Sequence, residues 1–446
     1  MNEQRLFAGY SLLFCLAFSA CGDPDETAWI ERRPALVQPV PAAPSSDRPE
    51  QNSEPDDARP DEPGDARSDD PEPAEPAEPT EPRNRCDDGE RYPVPDWPSE
   101  TATQHGLDRN ALERAADYAG ANHSRCLLVV RHGAVVGEWY WGRNMGRRMD
   151  RDNRIKSWSV GKSYAATVTG IAIDQGFINS VDDSIADYIP NFAGSRKEQI
   201  SIRDLLSMSS GLRFDLTADN LGMFFAGDMT RKALRNPVTN EPGLLWEYNN
   251  HTVQLIEPIL RQATGMAADE FAQTHLFEKL GMDASWQRDR RDQPAMYMNV
   301  SASCRDHAKF AYMMMRKGCW DGEEVLSEAY RDEAISPSTE MNKGYGFWWW
   351  MNAETPTLNS VDFSEYDGVL QPFAPADAFM AIGLGNQVIE AIPSLDMVIV
   401  RMGVAPQENL LYWLTDRPRI MREMKSDGDH VVLNGVVSRV LSAVRD

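Results

Sequence analysis

A serine and a lysine three residues apart could together form an activated nucleophile. At Ser159 a basic, mostly polar run gives way to an apolar run with helical spacing, and Lys162 follows on the same helix face. A neutral lysine amine can take the proton of a serine hydroxyl, and a helix N-terminus supplies N–H groups that suit a developing oxyanion. The pattern therefore predicts a catalytic centre with Ser159 as nucleophile and Lys162 as its base.

Two other interpretations use the same residues. Serine and lysine are common, so a single chance Ser-x-x-Lys in a chain of 446 residues is roughly what composition predicts. The triplet Gly161-Lys162-Ser163 resembles the end of a phosphate-binding P-loop, which needs a glycine five residues before Gly161. Lys156 holds that position and no apolar strand precedes it, so the sequence argues against a nucleotide site.

The first 21 residues are typical of a secretory signal. Arg5 precedes an apolar run that is too short to span a membrane comfortably, and small residues lead to Cys21. The ending Ser-Ala-Cys-Gly resembles the lipobox of bacterial lipoproteins, in which the cysteine becomes the lipidated first residue, although Phe18 departs from the usual leucine. The alternative is a plain cleaved signal with an incidental Cys21.

Residues 22–95 are rich in proline, aspartate and glutamate, which predicts a disordered, self-repelling tether. Much of the net charge of −24 falls in this segment, and no basic cluster suggests a nucleic-acid partner. Together with the anchor at Cys21, the tether predicts a domain held by lipid at the bacterial cell envelope. That domain would face the periplasm or the exterior.

Four cysteines remain beyond the signal, and outside the cytoplasm they can pair. They are Cys86, Cys126, Cys304 and Cys319. Four cysteines allow three connectivities, and the spacing favours Cys304 with Cys319 and Cys86 with Cys126. No pair has the Cys-x-x-Cys spacing of a metal site and the histidines do not cluster, so we predict no metal and no cofactor.

From residue 96 to 446 the hydrophobic pattern predicts one folded domain with strands at both ends and helices between them. Residues 127–136 read as a β-hairpin that turns at His132-Gly133. Further strands are predicted at 344–350, 379–383, 387–393 and 397–402. Helices are predicted at 110–119, 159–176, 202–212, 253–264, 304–317 and 431–444, with Gly211 and Gly265 as helix ends. This order predicts one sheet built from both ends of the domain, with a helical region inserted in it.

Three motifs in order carry a resemblance to a known family. They are Ser159-Val160-Gly161-Lys162, the run Leu-Leu-Ser-Met-Ser-Ser-Gly-Leu at 205–212, and Tyr248-Asn249-Asn250. Over about residue 110 to the C-terminus the chain resembles serine hydrolases of the β-lactamase and penicillin-binding-protein superfamily. It is most similar to the branch with class C β-lactamases, esterases and 6-aminohexanoate-dimer hydrolases. The resemblance implies an α+β, β-lactamase-like fold, whose antiparallel sheet is formed from N- and C-terminal strands with flanking helices.

The resemblance also implies roles for the Tyr-x-Asn motif. Tyr248 would be a second proton-transfer group, whose pKa the nearby lysine ammonium is expected to lower. Asn250 would offer its amide to the substrate or to Lys162. Tyr297-Met298-Asn299 is a second Tyr-x-Asn, but Tyr248 is preferred because it precedes a clear helix and the family places the motif there. A plain core aromatic is the alternative for Tyr248.

The third family motif, a Lys-Thr-Gly or His-x-Gly strand facing the nucleophile, is absent. The apolar triplet at 379–381 takes its place, and the backbone N–H of Ile382 is then expected to join that of Ser159 in an oxyanion hole. The missing cation argues against binding of a carboxylate such as that of a β-lactam. No Ser-Asp-Asn motif is present, which argues against class A.

The resulting hypothesis is a hydrolase that cleaves small ester or amide substrates through a covalent acyl-serine. A penicillin-recognising β-lactamase or D-Ala-D-Ala carboxypeptidase is one alternative. A non-catalytic binding or sensor domain on the same fold is another. The tryptophans near the motifs either line an apolar cleft or pack in the core; they are Trp158, Trp246 and Trp348 to Trp350.

Overall fold

The computed structural model describes most of the chain beyond residue 83. The described residues are 84–87, 89–144, 147–352, 355–360, 363–366, 368–404 and 431–445. The predicted signal, the lipidation site Cys21 and the tether up to residue 83 lie outside them and stay predictions. Among the described residues, no helix is long and apolar enough to cross a membrane.

A few strands are long, and several contain only two or three residues. In chain order they are β1 (Ser124–Arg131), β2 (Ala134–Tyr140), β3 (Arg143–Asn144), β4 (Arg147–Arg148), β5 (Ile155–Lys156), β6 (Ser285–Trp286), β7 (Val300–Ala302), β8 (Cys319–Trp320), β9 (Glu323–Glu324), β10 (Trp350–Met351), β11 (Phe379–Gly383), β12 (Gln387–Ile392) and β13 (Met397–Gly403). Six of them form one antiparallel sheet in the order β10-β11-β12-β13-β1-β2. The first hairpin of the domain therefore pairs directly with the last strand, as the α+β prediction requires.

The helices lie mainly between β2 and β10. In chain order they are α1 (Arg109–Ala121), α2 (Gly161–Asp174), α3 (Ile185–Tyr188), α4 (Ile202–Leu206), α5 (Leu216–Phe224), α6 (Met229–Arg235), α7 (Asn250–Gln254), α8 (Ile256–Thr264), α9 (Ala268–Ala272), α10 (Cys304–Met315), α11 (Glu328–Ala334) and α12 (Val431–Leu441). Short 3-10 turns connect several of them, including Trp158–Val160 immediately before α2. The α+β, β-lactamase-like architecture with an inserted helical region is confirmed.

The sheet separates two hydrophobic cores. Along β1, Leu127 and Val129 face one core, whereas Leu128 and Val130 face the other, because successive side chains of a strand point to opposite faces. Helices α1 and α12 cover the smaller core. The inserted helices bury the larger one, in which α2 is almost wholly buried, including its polar side chains Lys162, Ser163 and Thr167. This central position of α2 keeps the residues at its N-terminus in place.

The hydrophobic pattern of the sequence predicted most helices and strands correctly, but two of these predictions were wrong. The hairpin, the helix at 110–119 and the three C-terminal strands are present close to the predicted bounds. The strand predicted at 344–350 is wrong except for its last residue, since only Trp350–Met351 forms a strand, Tyr345 makes a single bridge to Trp350, and Trp348 has a φ of 57°. Helix α4 ends at Leu206, well before the predicted end at Gly211. The aromatic residues of 344–350 favour a strand by their β-propensity, but in the structure they pack in the core without forming a ladder of backbone hydrogen bonds.

The disulfide pairing predicted from spacing is wrong. Cys86 is bonded to Cys319 and Cys126 to Cys304, across sequence separations of 233 and 178 residues. Cys126 lies on β1 and Cys304 begins α10, which packs on the face of the same sheet. Nearest-neighbour spacing failed because α10, which begins at Cys304, packs on the sheet that contains Cys126, so cysteines far apart in the chain meet.

The folded part begins before residue 96. Besides the disulfide at Cys86, Arg85 Nε donates to Glu324 Oε2 at 2.6 Å. The ring of Tyr92 contacts Trp320 edge-on, with the ring centroids 5.7 Å apart. Residues 84–87 and 89–95, assigned by composition to the tether, therefore pack against the domain.

Candidate active site

Ser159 lies in a tight 3-10 turn at the N-terminus of α2. The side chains around it, Ser157, Trp158 and Val160, are buried, whereas Ser159 is partly exposed. Gly161 packs so closely on Met298 that an added Cβ would lie 2.7 Å from the Met298 carbonyl carbon. The turn therefore presents one hydroxyl to solvent from a rigid base.

Lys162 is the partner of Ser159. Its Nζ donates to Ser159 Oγ at 3.2 Å and to the carbonyl oxygen of Tyr297 at 2.9 Å. The side chain is 1% exposed, and burial lowers the pKa of Lys162 to about 7, against a smaller upward effect of the Asp219 carboxylate. A sizeable fraction of the amine is therefore neutral near pH 7, as a general base requires.

Tyr248 lies on the other side of the same hydroxyl. Its side chain is hydrogen-bonded to Ser159, and Lys162 Nζ lies 4.7 Å from the centre of its ring. The expected lowering of the Tyr248 pKa is wrong: burial raises it, outweighing the lowering by the Ser159 hydrogen bond. A phenol with a raised pKa keeps its proton, so Tyr248 can donate a proton more readily than it can remove one.

The second Tyr-x-Asn segment contacts Lys162 and Trp158 but does not direct its tyrosine hydroxyl at Ser159. The Tyr297 hydroxyl points to Met229 Sδ at 3.8 Å, whereas its carbonyl accepts from Lys162. Asn299 Oδ1 accepts from the backbone N–H of Trp158. Of the two candidate tyrosines, only Tyr248 directs its hydroxyl at Ser159.

Asn250 does not reach Lys162 by any hydrogen bond among the described residues. Its Nδ2 donates to Asp219 O at 3.3 Å and to Asn220 Oδ1 at 3.4 Å, and its Oδ1 is buried without a protein partner. The predicted contact with substrate stays a prediction. Through these two hydrogen bonds Asn250 connects the Tyr-x-Asn motif to α5.

Asp219 was missed by the sequence reasoning. It is 1% exposed, and its carboxylate accepts from the backbone N–H groups of Asn250 and His251 and from His251 Nδ1 at 2.8 Å. The charge of Asp219 acts upward on the pKa of Lys162. A single aspartate in a loop-rich segment carried no sequence signal, because its partners come from another helix.

Strand β11 closes the site opposite the turn. A Cβ at Gly383 would lie 2.4 Å from Ser157 O and 3.1 Å from the backbone nitrogen of Ser159, so only glycine fits there. On the outer side of β11, Ala378 O accepts from Asn352 N at 2.9 Å, and pairing with β10 ends at Met380. Because strand residues direct their N–H groups alternately to the two sides, Ile382 N–H points to that free edge. This orientation supports the predicted oxyanion role of Ile382.

The strand that faces the nucleophile carries no charge. Phe379, Met380 and Ala381 are all buried. Of the two interpretations of the tryptophans, packing holds for Trp348 and Trp349, which are at most 1% exposed. Trp158 stacks on Phe224 with centroids 5.7 Å apart, and Trp350 stacks on Tyr248 at 6.2 Å. Apolar rings therefore pack around Ser159 and its neighbours.

The described residues contain no candidate metal site. Among the described residues, no group of three or more His, Cys, Asp or Glu side chains is arranged to hold an ion. The P-loop interpretation also has no structural support, because Lys156 belongs to the short strand β5 and its side chain is exposed.

The family model described as Beta-lactamase matches residues 109–407, which is more than half of the chain. The chain belongs to the beta-lactamase family. The match spans both strand-forming ends of the domain and the inserted helices, so it covers the catalytic turn, the Tyr-x-Asn motif and β11.

Relatives of this beta-lactamase family member agree with the fold. An uncharacterized protein of Alkalihalophilus pseudofirmus is 25% identical over 66% of this chain and 87% of its own length. The 6-aminohexanoate-dimer hydrolase of Paenarthrobacter ureafaciens is 22% identical over 64% of this chain and 74% of its own. The solved structure of EstCE1, described as a hydrolase with promiscuous acyltransferase activity, superposes with a TM-score of 0.56 at 14% identity, covering 76% and 99% of the two chains. At this identity the solved structure establishes the fold alone.

Proposed function

We propose that this protein hydrolyses small esters or amides through a covalent acyl-enzyme on Ser159. The observation that carries the proposal is the buried amine of Lys162, which lies 3.2 Å from Ser159 Oγ with its pKa lowered to about 7. Lys309, another buried lysine on a helix, is ion-paired with Asp306, whereas Lys162 makes no ion pair among the described residues. Here burial supplies the neutral base that a serine nucleophile needs.

In the acylation step, Ser159 Oγ bonds to the substrate carbonyl carbon while its proton passes to Lys162 Nζ. The carbonyl oxygen becomes an oxyanion, stabilised by the backbone N–H groups of Ser159 and Ile382. The bond to the leaving group then breaks, and Tyr248 donates a proton to the departing alcohol or amine. The proton on Lys162 returns to Tyr248, which restores both groups.

In the deacylation step, the oxygen of a water molecule bonds to the acyl carbon and one of its protons passes to Lys162 and Tyr248. The bond between the acyl carbon and Ser159 Oγ then breaks, the carboxylic acid is released, and the same proton returns to Oγ, so the enzyme ends as it began. The tightly packed Gly383 keeps β11 against the turn, which holds the two oxyanion donors at a fixed separation.

The substrate class follows from what faces the nucleophile. Apolar β11 offers no cation for a carboxylate beside the reacting carbonyl, which favours esters and linear amides over β-lactams. The name of the Paenarthrobacter ureafaciens relative, 6-aminohexanoate-dimer hydrolase, and the description of EstCE1 as a hydrolase with promiscuous acyltransferase activity are consistent with this choice.

A fluorophosphonate probe tests the nucleophile. It should label the wild-type protein at Ser159 and fail to label Ser159→Ala, and hydrolysis of a short-chain nitrophenyl ester should vanish in Lys162→Ala. Equal labelling of both proteins would overturn the assignment.

Hydrolysis of a panel of esters, amides and β-lactams separates the candidate functions. Stable capture of a labelled penicillin would indicate a penicillin-recognising enzyme. Folded protein without turnover of any substrate would indicate a binding or sensor domain.

We also propose a place for the reaction. Lipidation of Cys21 would hold the domain at the bacterial cell envelope, on its outer or periplasmic side, with residues 22–83 as spacer. Metabolic labelling with an alkyne fatty acid should mark the wild-type protein and not Cys21→Ala. Release of unlabelled wild-type protein into the medium would contradict the anchor.

A further inference from the structure

A cavity of about 580 Å³ lies beside α5 and α6, and its lining does not include the catalytic residues. Four cationic side chains surround it. They belong to Arg213, Arg231, Lys232 and Arg235, and are called the cationic cluster below. In a chain with a net charge of −24, such a concentration of positive charge around one cavity is not expected from composition.

The cationic cluster is unpaired. Within the described part of the chain, none of its side chains makes an ion pair or a hydrogen bond. Arginines elsewhere are neutralised: Arg288 contacts Asp269 and Glu270, and Arg305 contacts Asp96 and Glu138. Like charges left together repel one another, so a cluster whose side chains make no ion pairs favours binding of an anion.

Two carboxylates line the same cavity but are engaged elsewhere. Asp215 Oδ1 accepts the N–H of Ala218 at 2.7 Å, and Asp228 Oδ1 accepts that of Arg231 at 2.8 Å. Each thereby caps the first turn of its helix. The lining keeps a surplus of positive charge, with four cations against two carboxylates.

The backbone is shaped to hold one of the cations. Gly222 is inside α5, where glycine destabilises a helix by roughly 0.5–1 kcal/mol relative to alanine. An added Cβ there would lie 2.5 Å from Lys232 Nζ. Glycine at this position therefore makes room for the half-buried ammonium group of Lys232 beside the helix.

The cavity adjoins the catalytic motif. His251, which also lines it, is 5% exposed and bonded through Nδ1 to Asp219. Asn249, the middle residue of the Tyr-x-Asn motif, donates from Nδ2 to Arg213 O at 3.3 Å. One wall of the cavity is thus continuous with the segment that places Tyr248.

We propose that this cavity binds a small anion with at least two negative charges, of phosphate or dicarboxylate type. Guanidinium groups match the oxygens of both groups bidentately, and three of the four cations are arginines. The anion is either part of the substrate or a separate ligand. Because none of its residues takes part in the hydrolytic steps, the site stands even if the proposed reaction does not.

Calorimetric titration with pyrophosphate and with citrate tests the site directly. Saturable binding is expected, weakened at least tenfold in the double variant Arg231→Gln/Arg235→Gln, whose positions are exposed and tolerate the change. The matched control is Lys279→Gln/Lys317→Gln, which removes the same charge from two exposed, ion-paired lysines and should bind as the wild type does. Lack of saturable binding by the wild type, or equal affinity of the two double variants, would overturn the proposal.

Kinetics separate the two sources of the anion. If it belongs to the substrate, a nitrophenyl ester that bears two carboxylates has a KM at least tenfold below that of its neutral analogue, and this advantage is lost in Arg231→Gln/Arg235→Gln. If it is a separate ligand, the two esters have equal KM values and pyrophosphate still binds. Ser159→Ala, which lacks the nucleophile, should bind pyrophosphate normally, so failure of the hydrolytic proposal and failure of this one give different results.

Discussion

Trp158 and Asn299 hold each other in place directly before the nucleophile. The Trp158 N–H donates to Asn299 Oδ1 at 2.9 Å, and the Asn299 N–H donates to Trp158 O at 2.8 Å. Both residues have positive φ, 51° and 57°, a conformation that costs a residue with a Cβ about 1–2 kcal/mol. Because Ser159 follows Trp158, this reciprocal pair sets the direction of its hydroxyl.

Asn299→Gly should therefore lower kcat for a nitrophenyl ester by roughly 10²-fold, with little change in KM. Glycine accepts the positive φ without strain, so the variant keeps the backbone conformation and removes the two side-chain bonds of Asn299, to the Trp158 N–H and to Gln287 Oε1. Asn299→Asp keeps an acceptor oxygen and should recover much of the rate. Steady-state kinetics of both variants, with circular dichroism to verify folding, provide the measurement. Equal loss in the two variants would show that the acceptor atom is not what matters.

Hydrolysis should depend on the ionisation of Lys162. Burial lowers its pKa to about 7, so the neutral amine is lost as the pH falls below that value. We expect kcat/KM to rise about tenfold per pH unit up to pH 7 and to level off above it. A pH–rate profile from pH 5 to 9 measures this. A flat profile across pH 7 would exclude Lys162 as the base.

Tyr248→Phe should separate substrates by their leaving groups. The raised pKa of Tyr248 makes it a proton donor, and loss of a general acid costs about 10²–10⁴ in rate. An amide needs a proton on its departing amine, whereas a nitrophenolate leaves without one. We expect the amide rate to fall much further than the nitrophenyl ester rate in this variant. Parallel losses for both substrates would assign Tyr248 a positioning role instead.

Glu390 should make stability depend on pH. It is fully buried on β12, where burial raises its pKa to about 7. Its Oε2 accepts from Gln371 Nε2 at 3.2 Å, while Glu390 Oε1 and Gln371 Oε1 are buried without a protein partner. The folded state therefore binds more protons than the unfolded state between about pH 4.5 and 7.

The free energy of unfolding should consequently fall, by on the order of 3 kcal/mol, as the pH rises through that window. Glu390→Gln imitates the protonated side chain and can donate to Gln371 Oε1. Its melting temperature should exceed that of the wild type at pH 8 and match it at pH 4. If Glu390→Gln is less stable than the wild type at pH 8, the ionised carboxylate of Glu390 does not destabilise the folded state.

Much of the fold was predictable because its information is local. The apolar stripe of α1, the His132-Gly133 turn and the run of buried strand residues at 397–403 each reflect a periodicity that a short window contains. The contact between Ser159 and Lys162 could be predicted for the same reason, since the two residues are one helical turn apart. The segment before Trp350 was misjudged because its aromatic side chains pack in the core while its backbone forms a turn, with the Gly346 N–H donating to Trp349 O at 2.9 Å.

By itself the sequence determined the family, the α+β architecture and the residues at the centre of the proposed site. The tertiary structure alone decided which cysteines pair, that Tyr248 and not Tyr297 directs its hydroxyl at Ser159, and that Asp219 lies behind the pair. It also decided the sign of the Tyr248 pKa shift. The physical reason is common to all four: each depends on burial or on contacts between segments far apart in the chain, and spacing along a sequence contains neither.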